Sequence, residues 1–155
     1  MKRIAIYLIV MAAVLVMPLE RTDVADLQPV QTVALYKTPV GDQIETDTGD
    51  VGAGKTVDLA YADLLETASG VIYLDTARYL LVSEAAVPAV ADIGKFLKKG
   101  VAVCAVVGRT DLKEVSKFLS VRSGLLPIHK WKEGVNLPVL DCRTDRIKFL
   151  QKNVK

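Results

Sequence analysis

The chain has few of the residues on which most enzymes rely. Among its 155 residues there is one histidine, His129, and there are two cysteines, Cys104 and Cys142. Neither cysteine has the close partners of a CxxC or zinc site. A Cys–His nucleophilic pair would need a meeting in space that no local spacing advertises. No G-x-S-x-G and no H-E-x-x-H occurs, so hydrolase and zincin signatures are absent. Long apolar runs are also scarce, and the one that stands out opens the chain. Net charge is small. Without Lys2 and Arg3, Lys plus Arg falls from 20 to 18, equal to the 18 Asp plus Glu that all follow Pro18. The body of the chain is formally neutral, and no nucleic-acid partner is expected. What is present fits a globular domain: 51% apolar and 25% charged residues, over a length that buries a real core.

MKRIAIYLIVMAAVLVMP begins with Lys2 and Arg3, runs apolar from Ile4 to Met17 and stops at Pro18. This is a charged n-region followed by an h-region of signal-peptide size. It is shorter than the roughly 20 residues of a comfortable bilayer span. No clean A-x-A site follows, so an uncleaved signal anchor and a removed signal both stay open. The competing reading is a buried N-terminal helix or strand. Positive charge before the segment and Glu20, Asp23 and Asp26 after it place the N-terminus in the cytoplasm and the rest outside. The expected location is the cell membrane with the bulk extracytoplasmic, or secretion if the leader is cleaved. Residues 1–18 are read as leader and 19–30 as tether. Residues 31–122 are read as an α/β domain, and 123–155 as a loop-rich extension of it or packed on it.

Within that domain QTVALYK, residues 31–37, is rich in strand formers. TPVGD marks a turn, and QIETDT is expected as an exposed or edge strand because of its acids. Val57, Ala60, Tyr61, Leu64, Leu65 and Ala68 recur at helical spacing, with Thr56 as N-cap and Asp58 in the first turn. GVIYLD reads as a buried strand and YLLV as a short one. A second helix is expected from Glu84 to the Gly100 stop, with Pro88 early in it. VAVCAVV is expected as the central strand and 111–121 as a third helix. Past Gly124, Pro127 and Pro138 argue for loop with short extended pieces, and the last thirteen residues for a short helix or a frayed tail. The expected fold class is a single α/β domain with a mixed sheet of about five strands and three helices. A Cys104–Cys142 disulfide stays open, since sequence supplies no Cα geometry.

One motif invites chemistry. GDVGAGKT, residues 49–56, matches G-x-x-x-x-G-K-[ST] at every position, with Lys55 and Thr56 at the phosphate and Mg²⁺ offsets. Gly49, Gly54, Lys55 and Thr56, with Asp75 at the end of VIYLD as a Walker B acid, form the alternative nucleotide-binding reading. Against it, a P-loop follows a nearly all-apolar parallel strand, and QIETDT carries Glu45 and Asp47. Asp47 and Asp50 would also crowd the phosphates with like charge. The preferred reading is a strand–helix connection, with no cofactor and no catalytic residue. Glu45, Asp47 and Asp50 do not match an EF-hand loop and read as a solvated acidic turn, with no metal expected. Trp131, between Lys130 and Lys132, reads as a surface residue covering a core edge.

The order GAGKTVDLAYADLLETASG, VIYLDTARYLLVSEAAV, KFLKKG, VAVCAVVG and TDLKEVSKFLS resembles the N-terminal domain of Ger(x)C-type spore germination proteins, the C subunit of nutrient germinant receptors. The resemblance covers about residues 31–119. It implies a non-enzymatic domain of an endospore-forming bacterium, attached to the membrane and partnered by envelope proteins. The family carries a lipid-anchoring cysteine after its leader, and none lies near Pro18 here. An Arg-containing segment after the family's second helix is replaced here by KKGVAV.

Overall fold

The computed structural model describes residues 27–150 except Asp145; the leader and most of the tether lie outside the described residues. The described residues form a mixed α/β fold with ten strands and three α-helices. The strands are β1 (Leu27–Pro29), β2 (Thr32–Thr38), β3 (Gly41–Thr46), β4 (Val51–Gly54), β5 (Val71–Tyr73), β6 (Tyr79–Ser83), β7 (Ala102–Val107), β8 (Leu126–Pro127), β9 (Val139–Asp141) and β10 (Lys148–Leu150). The helices are α1 (Val57–Thr67), α2 (Val90–Ile93) and α3 (Leu112–Ser120). Among the described residues, no helix is long and apolar enough to cross a membrane.

Eight strands make one mixed sheet, ordered β10-β9-β7-β6-β2-β3-β4, with β8 pairing beside β7. The middle of the sheet, β2, β6, β7 and β9, is parallel. β3, β4 and β10 are antiparallel additions at its two ends. Alternation along each strand sends side chains to opposite faces. Val33, Leu35, Ile44, Leu80, Val82 and Val103 belong to one core, with Val57, Ala60 and Leu64 of α1 and Val90 and Ile93 of α2. Ala34, Leu81, Cys104, Val106 and Leu140 belong to the other, under Leu112, Val115 and Leu119 of α3. The result is a three-layer sandwich, because strands apolar on both sides need helices on both sides. Tyr61 of α1 stacks on Phe96, centroids 4.1 Å apart, tying the α1 layer to the segment after α2.

Several expectations hold. β2, β6 and β7 form where strand formers cluster, and β7 is interior to the sheet. α1 starts at its expected cap, where the Thr56 hydroxyl accepts a bond from Leu59 N–H. α3 is capped by Asp111, which accepts from Lys113 N–H at 2.8 Å.

Others are corrected. The sheet holds eight strands, not about five. QIETDT is covered by β4 and is not the edge, because the glycine-rich stretch after it pairs back in extended form. GVIYLD is not a buried sheet strand. Only Ile72 of β5 is buried, and β5 pairs with β1 in a separate two-stranded parallel ribbon. That ribbon draws Leu27–Pro29, read as tether, into the fold, and Val30 is fully buried. The helix expected from Glu84 is 3₁₀ over Glu84–Ala89, α for one turn, then 3₁₀ again over Gly94–Phe96. Pro88 within this segment offers no N–H for an α-helical bond. The segment past Gly124 supplies β8, β9 and β10. KFL is a strand, not a helix, because β9 offers it an antiparallel partner.

Candidate functional site

The Walker-like stretch resolves into architecture. Gly49 has φ +99° and makes the turn from β3 to β4, a region open to glycine at little cost. Val51–Gly54 is then the edge strand, paired residue by residue with β3. Gly52 and Gly54 lie under α1. A Cβ on Gly52 would stand 2.3 Å from the Ala60 carbonyl oxygen, and one on Gly54 2.5 Å from the Ala60 nitrogen. No side chain fits either gap. The outer edge of β4 is closed by the same helix. Asp63 Oδ2 accepts from Ala53 N–H at 2.8 Å, and the Thr67 hydroxyl donates to the Val51 carbonyl at 3.2 Å. Asp50 Oδ1 accepts from the Ser69 N–H at 3.1 Å, fixing the far end of α1 to the turn.

The strand conformation points successive amides to alternate sides, whereas a phosphate cradle turns them toward one centre. Lys55 is exposed, and Thr56 is spent on the helix cap. Asp75 lies in the turn after β5, outside the sheet that contains β4, and faces Lys98 at 3.5 Å. The acids Glu45, Asp47 and Asp50 also go separate ways. Asp47 accepts from Gln31 N–H, Asp50 holds Ser69 and Thr48, and Glu45 faces Arg109. Among the described residues no group of three or more His, Cys, Asp or Glu could hold a metal ion.

Cys104 and Cys142 are free and buried in the same core. Cys142 N–H bonds the Val107 carbonyl, while Cys104 sits three positions earlier on β7. Cys142 is one position beyond Asp141, the partner of Val107, so at about 3.3 Å per residue the two are roughly 13 Å apart along the strands, and a disulfide needs Cα atoms within about 7 Å. Burial pushes the Cys104 thiol up to about 12 and raises that of Cys142 as well, so neither is a ready thiolate. His129 Nδ1 is bound to the Lys99 carbonyl. Trp131 packs on the edge of the first core.

At the carboxyl ends of the parallel strands the arrangement is different. The chain leaves β6 over the face covered by α2 and leaves β7 over the face covered by α3. Adjacent parallel strands with connections to opposite faces make the crevice where α/β folds bind ligands. A cleft of about 340 Å³ lies there. Its walls are aliphatic: Val87, Ala105, Val107, Leu137, Val139 and Leu150. Glu84, the first residue after β6, and Asn136 bring its polar groups. Glu84 is exposed and makes no ion pair among the described residues. Compared with protein families, with curated proteins and with solved structures, the chain matches none.

Beyond the other face, a polar group gathers around Tyr36 at the end of β2. The Arg109 guanidinium lies 5.1 Å from the Tyr36 ring centre and reaches Gln43 at 3.2 Å and Glu45 at 3.4 Å. Burial, then the Glu45 charge, pushes the Tyr36 hydroxyl up to about 12, against the pull of Arg109. That hydroxyl is buried without a hydrogen-bond partner among the described residues. Asp141, at the end of β9, is held down to about 2 by the Arg143 side chain, which bonds both its carboxylate oxygens.

Sequence reasoning missed the cleft altogether. Its residues come from four separated segments, and no spacing links Glu84 to Leu137. The signal that was available is topological: a strand end followed by Glu and small residues, beside another strand end.

Proposed function

We propose that this chain is a membrane-anchored, extracytoplasmic interaction module without catalysis of its own, which receives a ligand in the cleft between the carboxyl ends of β6 and β7 and the segment that leads into β9. One observation carries the reading: an aliphatic cleft at a topological switch point, whose lining among the described residues holds one carboxylate and no nucleophile–base pair. The basic start and apolar run of residues 1–18 support the anchor, and the neutral body supports a protein or small-molecule partner over nucleic acid. The resemblance to Ger(x)C-type proteins supports a role in the envelope of a spore-forming cell, with envelope proteins as partners.

The test is topology. Reporters active only outside and only inside the cytoplasm are fused after Lys155. Activity of the outside reporter in the membrane fraction is the expected result. Activity in the medium replaces the anchor by a secreted binding domain. Activity of the inside reporter overturns the reading, and nucleotide binding with Lys55→Ala as control then becomes the deciding measurement.

A further inference from the structure

We propose that the cleft over β7 and β9 selects an aliphatic ammonium group, a short saturated chain ending in a cationic nitrogen; this rests on the cleft being the binding site. The wall chemistry sets the first half of the ligand. Val87, Ala105, Val107, Leu137 and Val139 offer methyl groups and no aromatic face. Such a wall rewards burial of saturated carbon and cannot form an aromatic cage for a cation. The charge at the rim sets the second half. Among the described residues Glu84 is the only ionisable side chain lining the cleft, and no lysine or arginine among them pairs with it. Other carboxylates near the strand ends are already answered, Asp42 by Lys37 at 2.8 Å and Asp141 by Arg143 at 2.9 Å. Among the described residues, then, Glu84 is a negative charge without an ion-pair partner, exposed at an apolar slot. A cation with an apolar tail satisfies both parts, whereas an alkanoate meets the tail requirement and is repelled at the mouth.

Position supports the assignment. Glu84 follows β6 directly and opens the 3₁₀ segment, so its backbone is fixed by the sheet on one side and by the buried Ala86 on the other. Val135, exposed in the segment before β9, also lines the cleft. A ligand between them touches two segments that approach only in the folded chain.

The experiment uses the full chain in lipid nanodiscs with isotope-labelled valine methyls, read by NMR. Butyl-, pentyl- and hexylammonium are titrated against alkanoates and alkanols of equal length. The expected result is movement of the Val87, Val107 and Val139 methyls, with affinity rising about fourfold per methylene until the cleft is full. Ammonium is expected to bind about tenfold tighter than alkanoate, since attraction and repulsion at an exposed carboxylate each contribute a few-fold. Glu84→Gln should erase that preference and keep the chain-length gradient. Val135→Arg, at an exposed position that does not bear on folding, should reverse it. Butylammonium is also compared with lysine blocked at both ends. Tighter binding of the first names a free amine, and of the second a partner's lysine side chain. Equal binding of ammonium and alkanoate, or a preference that survives Glu84→Gln, overturns the proposal while leaving the cleft a binding site. Wall methyls that respond to none of the probes overturn both.

Discussion

The β4–α1 seam and the β7–β9 cleft differ in how sequence relates to use. The seam carries a perfect nucleotide-binding spacing and is filled: Gly52 and Gly54 let the helix approach, and Asp50, Asp63 and Thr67 tie it to the edge strand and its turn. The cleft carries no motif and is open. A motif defined by glycine spacing reports that backbones come close, and a helix is as good a reason for closeness as a phosphate. An open site, in contrast, is defined by what the chain leaves uncovered, which only the assembled sheet reveals.

Substitutions in the two regions sharpen this contrast. Gly52→Val should have the largest effect. Its side chain meets the α1 backbone at 2.3 Å, and forcing the helix off the strand should lower stability by about 3 kcal/mol or more, seen as a fall of the urea midpoint. If Gly52→Val is tolerated, the seam is not the tight contact described. Asp63→Ala should cost about 1–3 kcal/mol, because it removes the acceptor for Ala53 N–H. It should also speed hydrogen exchange at Ala53 above that of its strand neighbours. Thr56→Ala should cost about 1 kcal/mol through loss of the α1 cap, measured by thermal unfolding.

The carboxyl end of β9, away from the cleft lining, makes a smaller, pH-dependent prediction. Asp141 is held down to about 2 from 3.8, first by its hydrogen bond to the Arg143 side chain. A lowered carboxyl pKa adds stability that is complete above the unfolded value and disappears as pH falls through the folded one. Wild type should therefore exceed Arg143→Ala in urea midpoint at neutral pH. The gap should close as pH falls from about 4 toward about 2. A gap that is constant across this range would assign the contact to packing alone. Smallest of all, Lys55→Ala should leave stability within about 0.5 kcal/mol, as for an exposed side chain away from any cap or core contact. A large loss there would return chemistry to the seam.

The elements legible in the sequence are those whose information is local. Val57, Ala60 and Leu64 recur at helical spacing and do form the buried face of α1. The run around Cys104 is apolar on both faces and does lie inside the sheet. Thr56 caps where its side chain predicts, and Asp111, read as the first residue of the third helix, is its cap. The illegible elements depend on distant partners. Val51–Gly54 has a single strand former, and it is extended because β3 pairs one side of it and α1 closes the other. β5 looks like a core strand by composition, yet Val71 and Tyr73 are exposed because its partner is β1. β9 and β10 are three residues each, too short to announce themselves; β9 forms because β7 has a free flank, and β10 because β9 then offers one. The cleft inherits this: it is bounded by the elements that were hardest to read.

The strand order also has a kinetic consequence. β2, β3, β4 and α1 follow one another in the chain and pack as neighbours, so closing them requires only short loops. Pairing Thr32 with Tyr79 requires that whole unit to be looped out first. The hairpin and its helix are therefore expected to form early, as the nucleus, with the parallel strands and the cleft assembling afterwards. Stopped-flow refolding distinguishes the two ends of the sheet. Ala60→Gly should act mainly by slowing folding, and Leu140→Ala mainly by speeding unfolding. The glycine-rich seam then matters most before the native state exists, as the place where the first helix meets the first strands.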